Sequence, residues 1–106
     1  MDKGNTEPGF TLSNAAKKKL KGLAHSLHPV VTIGQQGLKE SIHEEMELAL
    51  DCHQLVKVKI NADDREQRQQ LIQLLAEKHR AAVIQTIGHT AVYYRPNKDR
   101  ADLLAG

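Results

Sequence analysis

Val30-Val31-Thr32-Ile33-Gly34-Gln35-Gln36-Gly37-Leu38 is the stretch on which the fold turns. Its first four residues are apolar or β-branched and read as a short strand. The strand runs directly into a Gly-x-x-Gly turn, and a helical pattern starts at Leu38. There Leu38, Ile42, Met46, Ala49 and Leu50 form an apolar stripe, and Glu40, Glu44, Glu47 and Asp51 form the opposite face. A strand, a tight turn and an amphipathic helix in immediate succession predict a domain that alternates α and β elements.

The pattern extends in both directions. Upstream, Ser13 is placed to cap a helix that Pro29 must end. Ala16, Leu20, Leu23 and Leu27 give that helix its core side, while Lys17, Lys18, Lys21, His25 and His28 cluster on the other. Downstream, Leu55-Val56-Lys57-Val58-Lys59-Ile60 alternates, so Val56, Val58 and Ile60 point to the core and Lys57 and Lys59 away from it. A strand covered by helices on both faces would be apolar throughout, so one face of this sheet is expected to be partly wet. Asn61-Ala62-Asp63-Asp64 then signals a helix start, with Leu71, Ile72, Leu74 and Leu75 as the apolar side. Ala82–Ile87 and Thr90–Tyr94 read as a hairpin joined by Gly88-His89.

The order α-β-α-β-α-β-β predicts an α/β two-layer sandwich on a four-stranded mixed sheet. Right-handed crossovers place the second and third helices on one side. The first three strands run in one direction and the last is antiparallel to its hairpin partner. Residues 1–11 are expected to form a flexible arm, 12–96 the domain, and 97–106 a mobile tail in which Leu103 and Leu104 have the chance to dock.

At 106 residues and 40% hydrophobic, the chain suits one modest core. Three aromatics, Phe10, Tyr93 and Tyr94, are too few for a nucleic-acid platform built on several stacking rings. The formal charge of +2 is weak, but its distribution is not even. Four lysines and no acid fall between Phe10 and Pro29, whereas five acids and one lysine fall between Leu38 and Gln54. Cys52 is the only cysteine, which excludes an intramolecular disulfide, and it reads as a small packing residue. No apolar stretch approaches the length of a membrane span, and Met1 to Gly9 has no signal-peptide core, so a cytoplasmic location is expected.

The strand–Gly34-Gln35-Gln36-Gly37–helix arrangement carries the functional signal. Two glycines permit a tight turn and close approach of an anion, and the helix start offers unpaired N–H groups and a positive dipole end. Taken alone, it is also an ordinary strand-to-helix turn. Lys39 just after it, and Lys17, Lys18, Lys21, His25 and His28 before it, make a phosphate surface if the first helix packs beside the loop. Lys57, Lys59 and Arg95 are further candidates; Arg95 has the alternative of pairing with an acid such as Asp99. His25 and His28 lack a third and fourth ligand nearby, so neither a metal nor any other cofactor is expected. Cys52 and His53 are neighbours on a helix and point apart, and no Walker-type loop occurs. Catalysis is not expected.

Leu23-Ala24-His25-x-Leu27-x-Pro29-Val30-Val31-x-Ile33-Gly34-x-x-Gly37-Leu38, then Leu55 to Ile60, then Ile87-Gly88-x-Thr90-x-Val92-x-Tyr94-Arg95-Pro96, resembles the CRM domain (chloroplast RNA splicing and ribosome maturation) in its stand-alone bacterial, YhbY-type form. The resemblance runs from about Leu12 to Pro96. It implies a fold similar to the C-terminal domain of translation initiation factor three, and an RNA-binding protein that associates with precursors of the large ribosomal subunit. It assigns RNA contact to the Gly34–Gly37 loop and nearby basic surface. One departure is that many members carry a basic residue inside the loop, where this chain has Gln35 and Gln36. The expected partners are therefore ribosomal RNA and a large-subunit precursor, with no membrane, no DNA and a monomeric state. The competing expectation is an adaptor that docks basic ribosomal proteins on its acidic second helix.

Overall fold

The computed structural model describes residues 10–105. Helix α1 (Asn14–Ala24) begins where the Ser13 hydroxyl accepts the Ala16 N–H at 3.0 Å. It ends at Ala24, ahead of Pro29, so His28 lies beyond the helix. Strand β1 (Val31–Ile33), helix α2 (Glu40–His53) and strand β2 (Leu55–Ile60) follow. Helix α3 (Arg65–His79) starts on the Asp64 carboxylate, which accepts the Glu66 N–H at 3.2 Å. It stops at Arg80, whose φ of 52° is left-handed without a glycine. The hairpin β3 (Ala82–Ile87) and β4 (Thr90–Tyr94) turns at Gly88, φ +57°.

The sheet order is β1-β2-β4-β3. β1 pairs parallel with β2, and β4 runs antiparallel to both β2 and β3, so β1, β2 and β3 share a direction as expected. The hairpin strand β4 inserts between β2 and β3, which an element order alone does not reveal. A bulge between Val83 and Gln85 interrupts the outer strand, a feature that discourages further pairing along that edge.

Period-two alternation divides the apolar residues between two cores. Val56, Val58, Ile60 and Tyr93 face α2 and α3, where Met46, Leu50, Ile72 and Leu75 close the larger core. Tyr93 is fully buried and its hydroxyl donates to the Ile72 carbonyl at 3.0 Å, satisfying its one polar atom. Leu55, Ile84, Val92 and Tyr94 face the other way and are covered at one end of the sheet by Leu20 and Ala24 of α1. The helix–sheet sandwich thus gains a partial third layer.

Two assignments to the core fail. Leu23 is 40% exposed and Leu74 is 52% exposed, each at the margin of its helix's apolar stripe. Cys52, read as a packing residue, is exposed.

Segment 97–105 is held against the domain. Gln54 adopts φ 65°, is buried, and donates from Nε2 to the Ala101 carbonyl while its Oε1 accepts the Asn97 N–H, both at 2.8 Å. Asn97 and Arg100 side chains donate to the Asp51 carbonyl, and Leu103 and Leu104 join the smaller core. Of the expected N-terminal arm, residues 1–9 lie outside the described residues, and Phe10 packs edge-on against Tyr94.

Candidate nucleic-acid interface

Burying Leu20 and Ala24 turns the other side of α1 to solvent, and Lys17, Lys18, Lys21 and His25 are all exposed there. His28, in the segment after the helix, is exposed too. Among the described residues no carboxylate pairs with these lysines; the ion pairs involve Arg95 and His79. The neighbouring Lys19 has a different use, with its Nζ donating to the Leu104 carbonyl at 3.5 Å.

The Gly34-Gln35-Gln36-Gly37 loop closes as a turn in which the Gly37 N–H donates to the Gly34 carbonyl at 3.1 Å. Gly37 has φ +82°, a conformation that side chains disfavour. Gly34 has no such constraint, and a Cβ added there would meet nothing within 4 Å. Gly34 is thus free of any internal demand for glycine. Lys39 occupies the cap position of α2 without a side-chain hydrogen bond to the helix, so its cation is exposed beside uncapped N–H groups. One flank of the loop opens on a cavity shared with Asp63 and Asp64. An anion is repelled on that flank and must approach from the other.

The structure does not place α1 beside this loop. α1 covers the Leu55 end of β2, whereas Gly34 follows the end of β1 that pairs with Ile60. Five residues of strand, about 17 Å at ~3.4 Å each, separate the two. Lys57 and Lys59 occupy that interval, because they share the parity of Leu55 and so the face on which α1 sits. Lys59 is exposed and Lys57 half-buried, and Thr32 and Thr90 stand beside Lys59 in register. Lys57 and Lys59 thus lie between the lysine helix and the glycine loop on one face of the sheet.

Arg95 lies outside this row. Its Nη1 donates to Glu47 and to the His79 carbonyl at 3.0 Å each, and its Nη2 donates to Glu47 at 3.2 Å and Asp51 at 2.8 Å. Of the two options that the sequence left, pairing with an acid is realised, with Glu47 and Asp51 in place of Asp99. The acid-rich face of α2 is correspondingly depleted, since two of its carboxylates are engaged within the domain.

Sequence reasoning missed the polar network behind Arg95. His79 is 2% exposed; its Nδ1 lies 2.6 Å from Glu47 Oε2 and its Nε2 lies 2.9 Å from His43 Nδ1. Burial lowers the His79 pKa against the opposing pull of the Glu47 carboxylate, and burial wins. Neutral His79 then donates to Glu47 and accepts from His43, a tautomer assigned from the network. Glu47 is held below the usual carboxylate range chiefly by its hydrogen bond from Arg95. Both shifts have the same consequence for stability. The unfolded chain takes up a proton on His79 below about pH 6.5 and on Glu47 below about pH 4.5, where the folded chain resists both. Stability is thus expected to be full above pH 6.5, to fall as pH drops through that value, and to fall further below 4.5. Thermal unfolding across pH checks this, and His79→Gln should flatten the first decline.

Among the described residues no group of three or more His, Cys, Asp or Glu side chains is disposed to hold a metal ion, and no helix is long and apolar enough to cross a membrane.

A four-stranded mixed sheet, a Gly-x-x-Gly turn between β1 and α2, and an unpaired lysine row together define a small α/β domain with one basic side. Residues 12–95 match the CRS1 / YhbY (CRM) domain, and the chain belongs to that family. It is 48% identical over 89 residues to an RNA-binding protein of Haemophilus influenzae, covering 84% of this chain and 90% of the relative. It is 35% identical over 98 residues to a probable RNA-binding protein of Pseudomonas aeruginosa, covering 89% and 94%. The fold is similar to the solution structure of a Staphylococcus aureus protein described as a candidate RNA-binding protein, with a TM-score of 0.72 and 29% identity, covering 82% of this chain and 91% of that one. These relatives are named for binding RNA and not for a reaction.

Proposed function

We propose that this chain binds structured ribosomal RNA in a precursor of the large ribosomal subunit, as a cytoplasmic monomer, and assists assembly by holding or shielding an RNA segment. The observation that carries the reading is the row of cations without internal partners, exposed Lys17, Lys18 and Lys21 on α1, then half-buried Lys57 and exposed Lys59 on the same sheet face, then exposed Lys39 beside the loop. Cations left unpaired on a fixed scaffold neutralise phosphates at no cost in broken ion pairs. Binding of this kind is largely indifferent to base sequence. His25 and His28 flank the row and add donors. Gln35 and Gln36 supply amide hydrogen bonds and no charge, so the loop contributes through close backbone approach.

The adaptor reading finds less support. It depends on the acids of α2, and Arg95 engages both Glu47 and Asp51. Glu40, Glu44 and Glu45 remain for a basic partner.

The two glycines separate folding from binding. Gly37→Ala forces a side chain into a left-handed conformation and is expected to destabilise by about 1 kcal/mol. Gly34→Ala is expected to leave stability unchanged or slightly raised, since its Cβ meets nothing, while weakening affinity for a large-subunit ribosomal RNA fragment severalfold. Thermal melts and a filter-binding titration check both. Undiminished affinity in a folded Gly34→Ala protein would remove the loop from the interface. A wild type that shows no affinity for the fragment even at low salt would favour the adaptor reading.

A further inference from the structure

On the sheet face that carries α1, a groove of about 540 Å³ opens between the end of the helix and the start of β2. Leu23, Leu27, Val30 and Leu55 line it, and Leu23 and Val30 remain 40% and 54% exposed. Its other lining side chains include His28, His53 and Lys57, and no Asp or Glu is among them. Hydrocarbon walls with one lysine and no carboxylate at the margin complement a ligand with a flat apolar body joined to a negative charge. Of the cations described above, Lys57 of β2 is the one that borders it.

We propose that this groove receives an unpaired nucleobase of the bound RNA, with the adjoining phosphate on the Lys57 side. The inference rests on the RNA-binding reading and makes it more specific. A strand whose phosphate sits on Lys57 has the groove beside it, and a volume of this size belongs to the range of small-ligand sites. RNA-binding domains hold splayed bases by stacking them on planar side chains, imidazole among them, and His28 and His53 line this groove. The bases of a continuous duplex are stacked on each other and do not offer their faces. The chain should thus distinguish an RNA with an extruded nucleotide from a fully paired one, although its phosphate contacts alone do not.

The test uses three hairpin RNAs of one length: one with a single bulged nucleotide, one fully paired, and one with an abasic residue at the bulge. The wild type is expected to bind the bulged hairpin about tenfold more tightly than the other two, toward the low end of what stacking a base on an aromatic ring gives, because no Phe, Tyr or Trp lines the groove. Leu23→Gln and Val30→Ser change exposed side chains and add no charge. Each should bring the three affinities to near parity while keeping that for the paired hairpin, with an unchanged melting curve confirming the fold. Two independent variants keep the test valid if one of them fails to fold. Equal wild-type affinity for all three hairpins, as for a groove that serves an acidic peptide, would overturn the proposal. So would an abasic bulge that keeps the full advantage, or a preference that survives in both variants. Failure to bind any hairpin at low salt would overturn the RNA reading itself, a separate result.

Discussion

Lys18→Glu with Lys21→Glu is expected to weaken binding of a large-subunit ribosomal RNA fragment by about ten- to hundredfold at moderate salt. Both side chains are exposed on α1 and neither pairs with a carboxylate, so reversing them removes two phosphate contacts and installs two repulsions. The slope of log affinity against log salt should become shallower by about one to two units. The fold should persist, because the side of α1 that packs is Leu20 and Ala24. A small decrease in stability is expected from Lys21, which lies in the last helical turn, where a negative charge opposes the dipole by about 0.3–1 kcal/mol. Lys18→Gln with Lys21→Gln isolates charge loss from repulsion and should give the slope change with a smaller loss of affinity. An affinity and slope equal to wild type in a folded double variant would remove the lysine helix from the interface.

Arg95→Ala should do the reverse. The guanidinium makes four hydrogen bonds, three of them to carboxylate oxygens of Glu47 and Asp51, and it is only 20% exposed. It ties the end of β4 to α2 and to the last residue of α3. Its partners are about half exposed, which screens the loss. A cost of about 2 kcal/mol is expected from charged hydrogen bonds of this kind, equivalent to a Tm lower by about 10 °C. The salt slope of RNA binding should not change, since this cation is already neutralised within the domain. Arg95 and Lys18 thus carry the same charge to different ends, and one pair of measurements separates them. A variant that melts like wild type but binds with a shallower slope would put Arg95 back among the RNA contacts.

The contrast between these residues shows what the sequence made legible. The β1 strand, the glycine turn and the α2 stripe are local, and the pattern around Val30 to Leu38 contained them. The alternation of β2 likewise placed Lys57 and Lys59 opposite the core without any knowledge of the fold. Arg95 is different, because its acids are 44 and 48 residues away, and only the packing of β4 against α2 brings them into reach. Gln54 and His79 escaped notice for the same reason: the left-handed turn of the first and the burial of the second are set by neighbours distant in sequence. Leu23 and Leu74 read as core because helical spacing fixes a direction and not what stands opposite. The glycine loop and α1 lie at opposite ends of β2, with Lys57 and Lys59 between them, a placement that only the packing of α1 on the sheet sets.

The most direct test is the salt dependence of wild-type binding to a large-subunit ribosomal RNA fragment. Six unpaired cations in the row, Lys17, Lys18, Lys21, Lys39, Lys57 and Lys59, at about 0.7–0.9 per phosphate contact, predict a log–log slope of roughly −4 to −5. A slope near zero, or no binding at low salt, would contradict an interface built on these lysines.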